Sequence, residues 1–226
     1  MLNEKVKAII EAAKPDGWVM EPEAKRLMGL YGIEMPPYVW VRTPEDVAAA
    51  AERLKFPLAA KVVSPAVIHK SDVGGVVIGI DSLDKIKETF ERFSRIQGFS
   101  GMHVEPMARG VELIVGATMD RQFGPVVLLG IGGTMVEIYK DTVVRMAPLN
   151  ADDVRAMVKC LKAKALLEGY RGKPAVSIDP LTDLLVRFSE MAMDLEGEIA
   201  SIDLNPVMAS AEGCIVADAR MILYRE

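Results

Sequence analysis

His69 lies in a polar loop between Ser64-Pro65 and Gly74-Gly75, with Lys70, Ser71 and Asp72 directly after it. An imidazole nitrogen can take a phosphoryl group near neutral pH. An adjacent lysine would offset the charge it brings, and paired glycines let the backbone approach phosphate oxygens or swing as a hinge. The alternative is a solvated loop histidine with no chemistry. Lys61 sits near the end of the apolar run LAAKVV. An unpaired ammonium buried there would be costly, so either an anion meets it or it lies on an edge strand and snorkels to water.

Glu105 and Glu112 stand seven residues apart across Pro106-Met107-Ala108-Arg109-Gly110. They read either as ordinary strand-edge carboxylates or as a hinge that binds adenosine. In the second reading Glu105, or backbone just after it at Pro106 and Met107, meets the adenine amino group. Met107 covers the ring, and Glu112 accepts hydrogen bonds from ribose hydroxyls. A last constellation is Asp203-Leu204-Asn205-Pro206 with Asp218 in the strand that follows. Period-two alternation puts Asp203 and Asn205 on one strand face, and Asp218 can lie opposite them if Gly213 marks a hairpin turn. Hard oxygens meeting on one sheet face suit Mg²⁺, whereas turn-forming Asx residues are the plainer reading.

Several common sites are absent. There is no G-x-x-x-x-G-K-[ST] loop, and Gly130-Ile131-Gly132-Gly133-Thr134-Met135 lacks the third glycine of a dinucleotide fingerprint. With two histidines in the chain there is no H-E-x-x-H, and no G-x-S-x-G elbow occurs. Cys160 and Cys214 lie far apart and form no C-x-x-C pair, which fits a reducing cytosol. The net charge of -5 comes from interspersed acids and bases with no basic run, so nucleic acid is not an expected partner. No stretch approaches the ~18 apolar residues of a membrane span, and the N-terminus has no signal-peptide pattern. A cytoplasmic protein with no membrane anchor is expected.

The elements that must position these residues follow from periodicity and caps. At 226 residues the chain is expected to form one globular unit or two intimately packed subdomains. Val6, Ile9, Ile10 and Ala13 share a helical stripe that ends at Lys14-Pro15-Asp16-Gly17. A second helix runs through EPEAKRLMGLYG, with Leu27, Met28 and Tyr31 inward and Gly32 as its cap. Strand YVWVR leads to Thr43-Pro44-Glu45-Asp46, a helix start. PLAAKVV and VVIGI are strands flanking the His69 loop, and Ser82 caps a helix with the stripe Leu83, Ile86, Phe90 and Phe93. From residue 102 to 146 the runs MHVEPM, VELIVGATM, PVVLLGI, MVEIY and TVVRM read as a mainly antiparallel sheet. Asn150 with Asp153, and then Ser177, start two helices; the second carries Leu181, Leu184, Leu185, Phe188 and Met191. The chain closes with strands EIASIDL and CIVADA. The fold class is α+β, with two lobes meeting near residue 104: 20–104 with the His69 loop, 105–226 with the hinge and metal candidates, and 1–19 as an N-terminal helix.

The segments EPEAKRLMGLYGI, KVVSPAVIHKSDVGGV, FGPVVLLGIGGTMVEIYKD and DLNPV…ADAR closely resemble the nucleotide-binding β subunits of ADP-forming acetyl-CoA and acyl-CoA synthetases, relatives of succinyl-CoA synthetase. The resemblance covers nearly the whole chain in order. It implies an ATP-grasp fold holding ADP or ATP and Mg²⁺ between two α+β lobes. It also implies the reversible conversion of acyl-CoA, phosphate and ADP to carboxylic acid, CoA and ATP. By the same resemblance Lys61 matches the lysine that reaches nucleotide phosphates, and His69 the mobile phosphohistidine. Glu105 and Glu112 match the adenine and ribose positions, and Asn205 and Asp218 the metal ligands. Asp203 matches an acidic residue near the phosphohistidine, while Lys70, Gly74 and Gly75 frame the loop. Arg145, in VVRMAPL, lies in a family-like segment. The chain stops soon after Asp218, without the further domain of the succinyl-CoA synthetase β chain, so the resemblance implies a separate CoA-binding α subunit in an α2β2 assembly. The rival readings are an ATP-grasp carboxylate–amine ligase and a non-catalytic nucleotide-sensing module.

Overall fold

The computed structural model of the chain describes residues 2–133, 141–172 and 174–224. The strand expected over 135–139 lies outside them. The chain divides into two compact units, the larger made of Met1–Val19, Glu23–Met35 and Ala108–Glu226, the smaller of Met20–Pro22 and Pro36–Met107. The division expected near residue 104 thus falls at Met107/Ala108. The N-terminal helix, and most of the second, belong with the C-terminal part. Their buried stripes explain this: Val6, Ile9, Ile10, Leu27 and Met28 share one core with Leu113, Val115, Leu204 and Val207.

In the larger unit, α1 (Glu4–Ala13) starts at Asn3, whose Oδ1 accepts from the Lys5 amide at 2.9 Å. A turn closed by Gly17, at φ 74°, leads into the short strand β1 (Trp18–Val19), which the sequence did not announce. Helix α2 (Glu21–Leu30) is followed by Gly32 at φ 74°, the left-handed geometry that favours glycine after a helix.

Two strands of this chain's smaller unit, β2 (Val39–Val41) and β3 (Leu58–Val63), flank α3 (Pro44–Arg53), where the Asp46 carboxylate accepts from the amides of Thr43 and Arg42 at 3.0 and 3.1 Å. Then come β4 (Val76–Ile80), α4 (Leu83–Phe93) and β5 (Gly101–Pro106). These four strands form one antiparallel sheet in the order β2-β5-β3-β4. Alternation sends Leu58, Ala60 and Val62 of β3 into a core with Ile86, Phe90 and Phe93 of α4. Leu83, expected on that stripe, is the first residue of α4 and stays exposed; Thr89 is buried instead. Strand β5, read from sequence with the strands after it, belongs to this sheet and not to theirs.

The larger unit resumes with β6 (Val111–Asp120), β7 (Gly124–Ile131), β8 (Thr142–Met146), α5 (Ala151–Cys160), α6 (Ile178–Asp194), β9 (Ile199–Ala209), β10 (Cys214–Val216) and β11 (Arg220–Leu223). Its sheet runs β1-β11-β9-β6-β7-β8 with β10 also beside β9, all antiparallel. Asn150 caps α5 reciprocally with Asp153, each accepting from the other's amide at 3.0 Å, a motif worth ~1 kcal/mol. Helix α6 buries Leu181, Leu184, Leu185, Phe188 and Met191 as its periodicity predicts. Among the described residues no helix is long and apolar enough to cross a membrane.

Sequence reading took CIVADA as one strand. Pairing instead breaks after Val216 and resumes at Arg220 with no change of register, Val216 facing Val207 and Arg220 facing Asp203. Asp218 therefore lies in the gap, opposite Asn205. The break follows from Pro206, which has no N–H to give; its carbonyl still accepts from the Ala217 amide at 3.0 Å.

Candidate functional site

Strand β3 is interior to its sheet, so Lys61 is not the edge-strand lysine that would reach water. It is 7% exposed, on the face of β3 opposite the helices. Its cross-strand neighbour is His103, and Glu105 lies two residues further along the same face of β5. Glu21, the first residue of α2, completes the group. Lys61 Nζ lies 2.7 Å from Glu21 Oε1 and 2.8 Å from Glu105 Oε1. His103 Nε2 is 3.1 Å from Glu105 Oε2 and 3.8 Å from Glu21 Oε1, and Tyr38 packs on the imidazole with ring centroids 4.8 Å apart. The anion that a lysine in an apolar run calls for is thus a pair of protein carboxylates.

Glu21, His103 and Glu105 bring three potential metal ligands within 4.8 Å of one another. They do not make a cation site as they stand. The ammonium of Lys61 already occupies the space between the two carboxylates, and a divalent ion there would be repelled at short range. Glu105, expected on the adenine side, turns its carboxylate to Lys61 and His103, and the backbone runs on to Pro106 and Met107. There Pro106 pairs with Leu58, the Met107 amide donates to the Pro57 carbonyl at 3.0 Å, and the Met107 sulfur accepts from the Gly79 amide at 3.0 Å.

The loop after β3 carries His69, which is exposed and has no ring hydrogen bond or ion pair among the described residues. From 68 to 74 Lys70 alone is buried, at 9% exposure, and its Nζ lies 2.7 Å from Glu21 Oε2. Lys70–Val73 form a single 3-10 turn ended by Gly74 at φ 64°. The Gly75 amide then donates to the Lys70 carbonyl at 2.7 Å. A Cβ on Gly75 would clash with Val62 Cγ1, so the close return of the loop to the sheet favours a glycine.

In the larger unit, Asp203 and Asn205 emerge on the open side of β9, alternating with the buried Ile202 and Leu204, and Asp218 falls opposite Asn205. Asp203 Oδ2 accepts from Arg220 at 3.2 Å. The Asn205 amide oxygen and the Asp218 carboxylate are hard donors on facing backbone positions, a set that fits Mg²⁺. Lys25, four residues beyond Glu21 on α2, is buried to 1% and donates to the Ala217 carbonyl at 3.2 Å, bracing the gap that holds Asp218. Sequence reading passed over Glu21, Lys25 and His103. The signals were there: Lys25 shares a helical face with the buried Met28, and His103 shares a strand face with Glu105.

Glu112 is exposed and lines a cavity of about 700 Å³ with Val111, Ile131, Gly132, Tyr170 and Arg171. The glycines dismissed as a failed fingerprint have a different use: the Gly132 amide donates to the Glu112 carbonyl at 2.6 Å, where a Cβ would clash with that backbone at 2.9 Å. Arg145 is exposed on β8, and among the described residues it bonds its neighbour's carbonyl, Val144, at 3.1 Å, with no other candidate brought to it. Cys214 is buried and its thiol pushed up to about 11 by burial, so it offers no thiolate near neutral pH.

The ATP-grasp domain family matches residues 11–223. The β subunit of acetate–CoA ligase [ADP-forming] I of Pyrococcus furiosus is 39% identical over 97% of this chain and 98% of its own. The single-chain acetate–CoA ligase [ADP-forming] I of Archaeoglobus fulgidus is 39% identical over 99% of this chain, which spans 34% of that longer protein. Among solved structures, acetyl-coenzyme A synthetase 1 of Ca. Korarchaeum cryptofilum superposes with a TM-score of 0.84 at 37% identity, covering 97% of this chain and 100% of that one. It is in complex with coenzyme A and Mg-AMPPCP, with its phosphohistidine segment pointing towards the nucleotide-binding site. With the antiparallel two-sheet α+β architecture, these matches over nearly full length place the chain in the ATP-grasp family, among the β subunits of ADP-forming acetyl-CoA synthetases.

Proposed function

We propose that this chain receives a phosphoryl group on His69 from a CoA-binding α partner and delivers it to ADP. The supporting observation is local: an exposed imidazole with no bonding partner among the described residues, on a short loop framed by a buried lysine and two glycines. In the transfer, a β-phosphate oxygen of ADP attacks phosphorus in line with the imidazole nitrogen. The P–N bond breaks, the nitrogen keeps the electron pair, and ATP leaves. Such transfers depend on positioning and charge neutralisation rather than on covalent help from the protein.

Lys61 and Lys70 are the cations nearest in sequence to the carrier. Their charges are balanced by Glu21 and Glu105, so engaging phosphate oxygens means sharing an ammonium already held by carboxylate. Backbone at Pro106 and Met107, with Glu112, is assigned to adenine and ribose. Asn205 and Asp218 would hold Mg²⁺, which when bound supplies charge neutralisation at the phosphates. Asp203 is proposed as the acidic residue that serves the phosphohistidine, and an α2β2 assembly in the cytoplasm is the accompanying proposal.

His69→Ala decides the central point. Reconstituted with the α partner, it should make no ATP from acetyl-CoA, phosphate and ADP, while ADP binding by calorimetry stays within about threefold of the parent, since a group acting only in transfer contributes little to ground-state affinity. Turnover equal to the parent would overturn the relay. Amine-dependent ADP release in place of acid-labile label on His69 would support a carboxylate–amine ligase.

A further inference from the structure

Glu21 is the residue through which two separate lysines are tied together. One carboxylate oxygen holds Lys61 at 2.7 Å and the other holds Lys70 at 2.7 Å. Lys61 is set by the sheet, because β3 is an interior strand and Glu105 holds the same ammonium at 2.8 Å. Lys70 is different, being the one buried residue of an otherwise exposed stretch. Its side chain therefore anchors that stretch, and the anchor's counterpart, Glu21, lies on another element altogether. Removing one partner from a buried group of this kind is strongly unfavourable, because it leaves an uncompensated charge out of water.

We propose that Glu21 is a positioning residue for the phosphoryl carrier: through Lys70 it holds the His69 loop in the orientation seen here, and release of Lys70 from Glu21 frees the loop to carry its cargo. The inference rests on the His69 reading for its functional meaning, but not for its physical content. An incoming phosphoryl group beside Lys70 offers that ammonium a competing anion, so loading the carrier would itself loosen the tether. Glu21 touches neither substrate nor the reacting atoms in this scheme; it acts through Lys70.

The test is a double-mutant cycle on the full chain with Glu21→Gln, Lys70→Met and the double variant, read in two ways. Hydrogen exchange of the amides over 69–75 should rise ~10-fold or more in each single variant, with the α3 and α4 amides unchanged, and the double should be no looser than the singles, the non-additivity expected of one shared interaction. In the reconstituted complex, Lys70→Met, which keeps the Glu21–Lys61 pair, should lower kcat while KM for ADP holds. Unchanged loop exchange in a folded Glu21→Gln chain overturns the proposal, as do additive effects in the double. If Glu21→Gln does not fold, Lys70→Met alone decides, since it keeps the Glu21–Lys61 pair: a protected loop overturns the tether. A parent chain that takes no phosphoryl group on His69 defeats the relay, yet leaves the exchange result to stand or fall by itself.

Discussion

At the residue scale, the informative feature is a buried cluster in which two carboxylates face two ammonium groups on the open side of a sheet. Each ion loses its hydration, and the cluster persists because the losses are matched by short contacts of 2.7–2.8 Å. Lys61→Met should thus be more damaging than an ordinary surface change, lowering stability by ~3–5 kcal/mol because Glu21 and Glu105 are left facing one another with one cation fewer. Urea denaturation measures this, and a loss below about 1 kcal/mol, the scale of an exposed pair, would show that the cluster is solvated. The cysteines allow a simpler check. Cys160 is exposed and Cys214 buried, with its thiol raised to about 11. At about pH 8, where an ordinary exposed thiol is partly ionised, iodoacetamide should label Cys160 and spare Cys214 until the chain unfolds. Peptide mass spectrometry reads both sites.

At the element scale, the His69 loop is bounded by two glycines that do different work. Gly74 ends the 3-10 turn at φ 64° with no atom within 4 Å of an added Cβ, so its requirement is conformational. A Cβ added at Gly75 would clash with Val62 Cγ1 and come within 2.9 Å of the Lys70 carbonyl oxygen, so its requirement is space. Gly74→Asn should accordingly cost ~1 kcal/mol or less, since asparagine tolerates the left-handed region. Gly75→Ala should cost ~1–3 kcal/mol, the range for overpacking, and disturb the loop. Thermal melts rank the two variants, and equal or reversed losses would refute the distinction. The helices and caps at this scale were legible beforehand: Asn150 with Asp153, Thr43 with Asp46, and the α6 stripe all follow from side-chain spacing within one turn. The membership of β5 was not legible, because consecutive strands look alike in sequence and only cross-strand pairing assigns them to a sheet.

At the scale of the whole molecule, this chain aligns with nearly all of a two-subunit synthetase's β chain and with 34% of a single-chain relative. The rest of the single-chain relative's length is where CoA chemistry is proposed to reside. Alone, the chain should bind ADP yet form no ATP from acetyl-CoA and phosphate; adding the α partner should restore turnover. A coupled ATP assay over a titration of partner checks this, and full activity without partner would require a CoA site in this chain. The first two residues of α2 belong to the smaller unit and the rest to the larger, so Glu21 and Lys25 each meet site residues of their own unit.

The sequence by itself determined what depends on neighbours a few residues apart: helix stripes, caps, strand alternation, the glycine-bounded histidine loop, and the ordered motifs by which the family is recognised. Tertiary structure alone decided which distant charges meet. Lys61 and Glu21 are forty residues apart and Lys61 and Glu105 forty-four, and they touch because β3 and β5 pair in one register and α2 begins beside them. Likewise, Asp218 faces Asn205 only because Pro206 breaks a strand without shifting its register. Local patterns are written in the order of residues, but burial and pairing are properties of the packed chain, and they set which carboxylate neutralises which lysine.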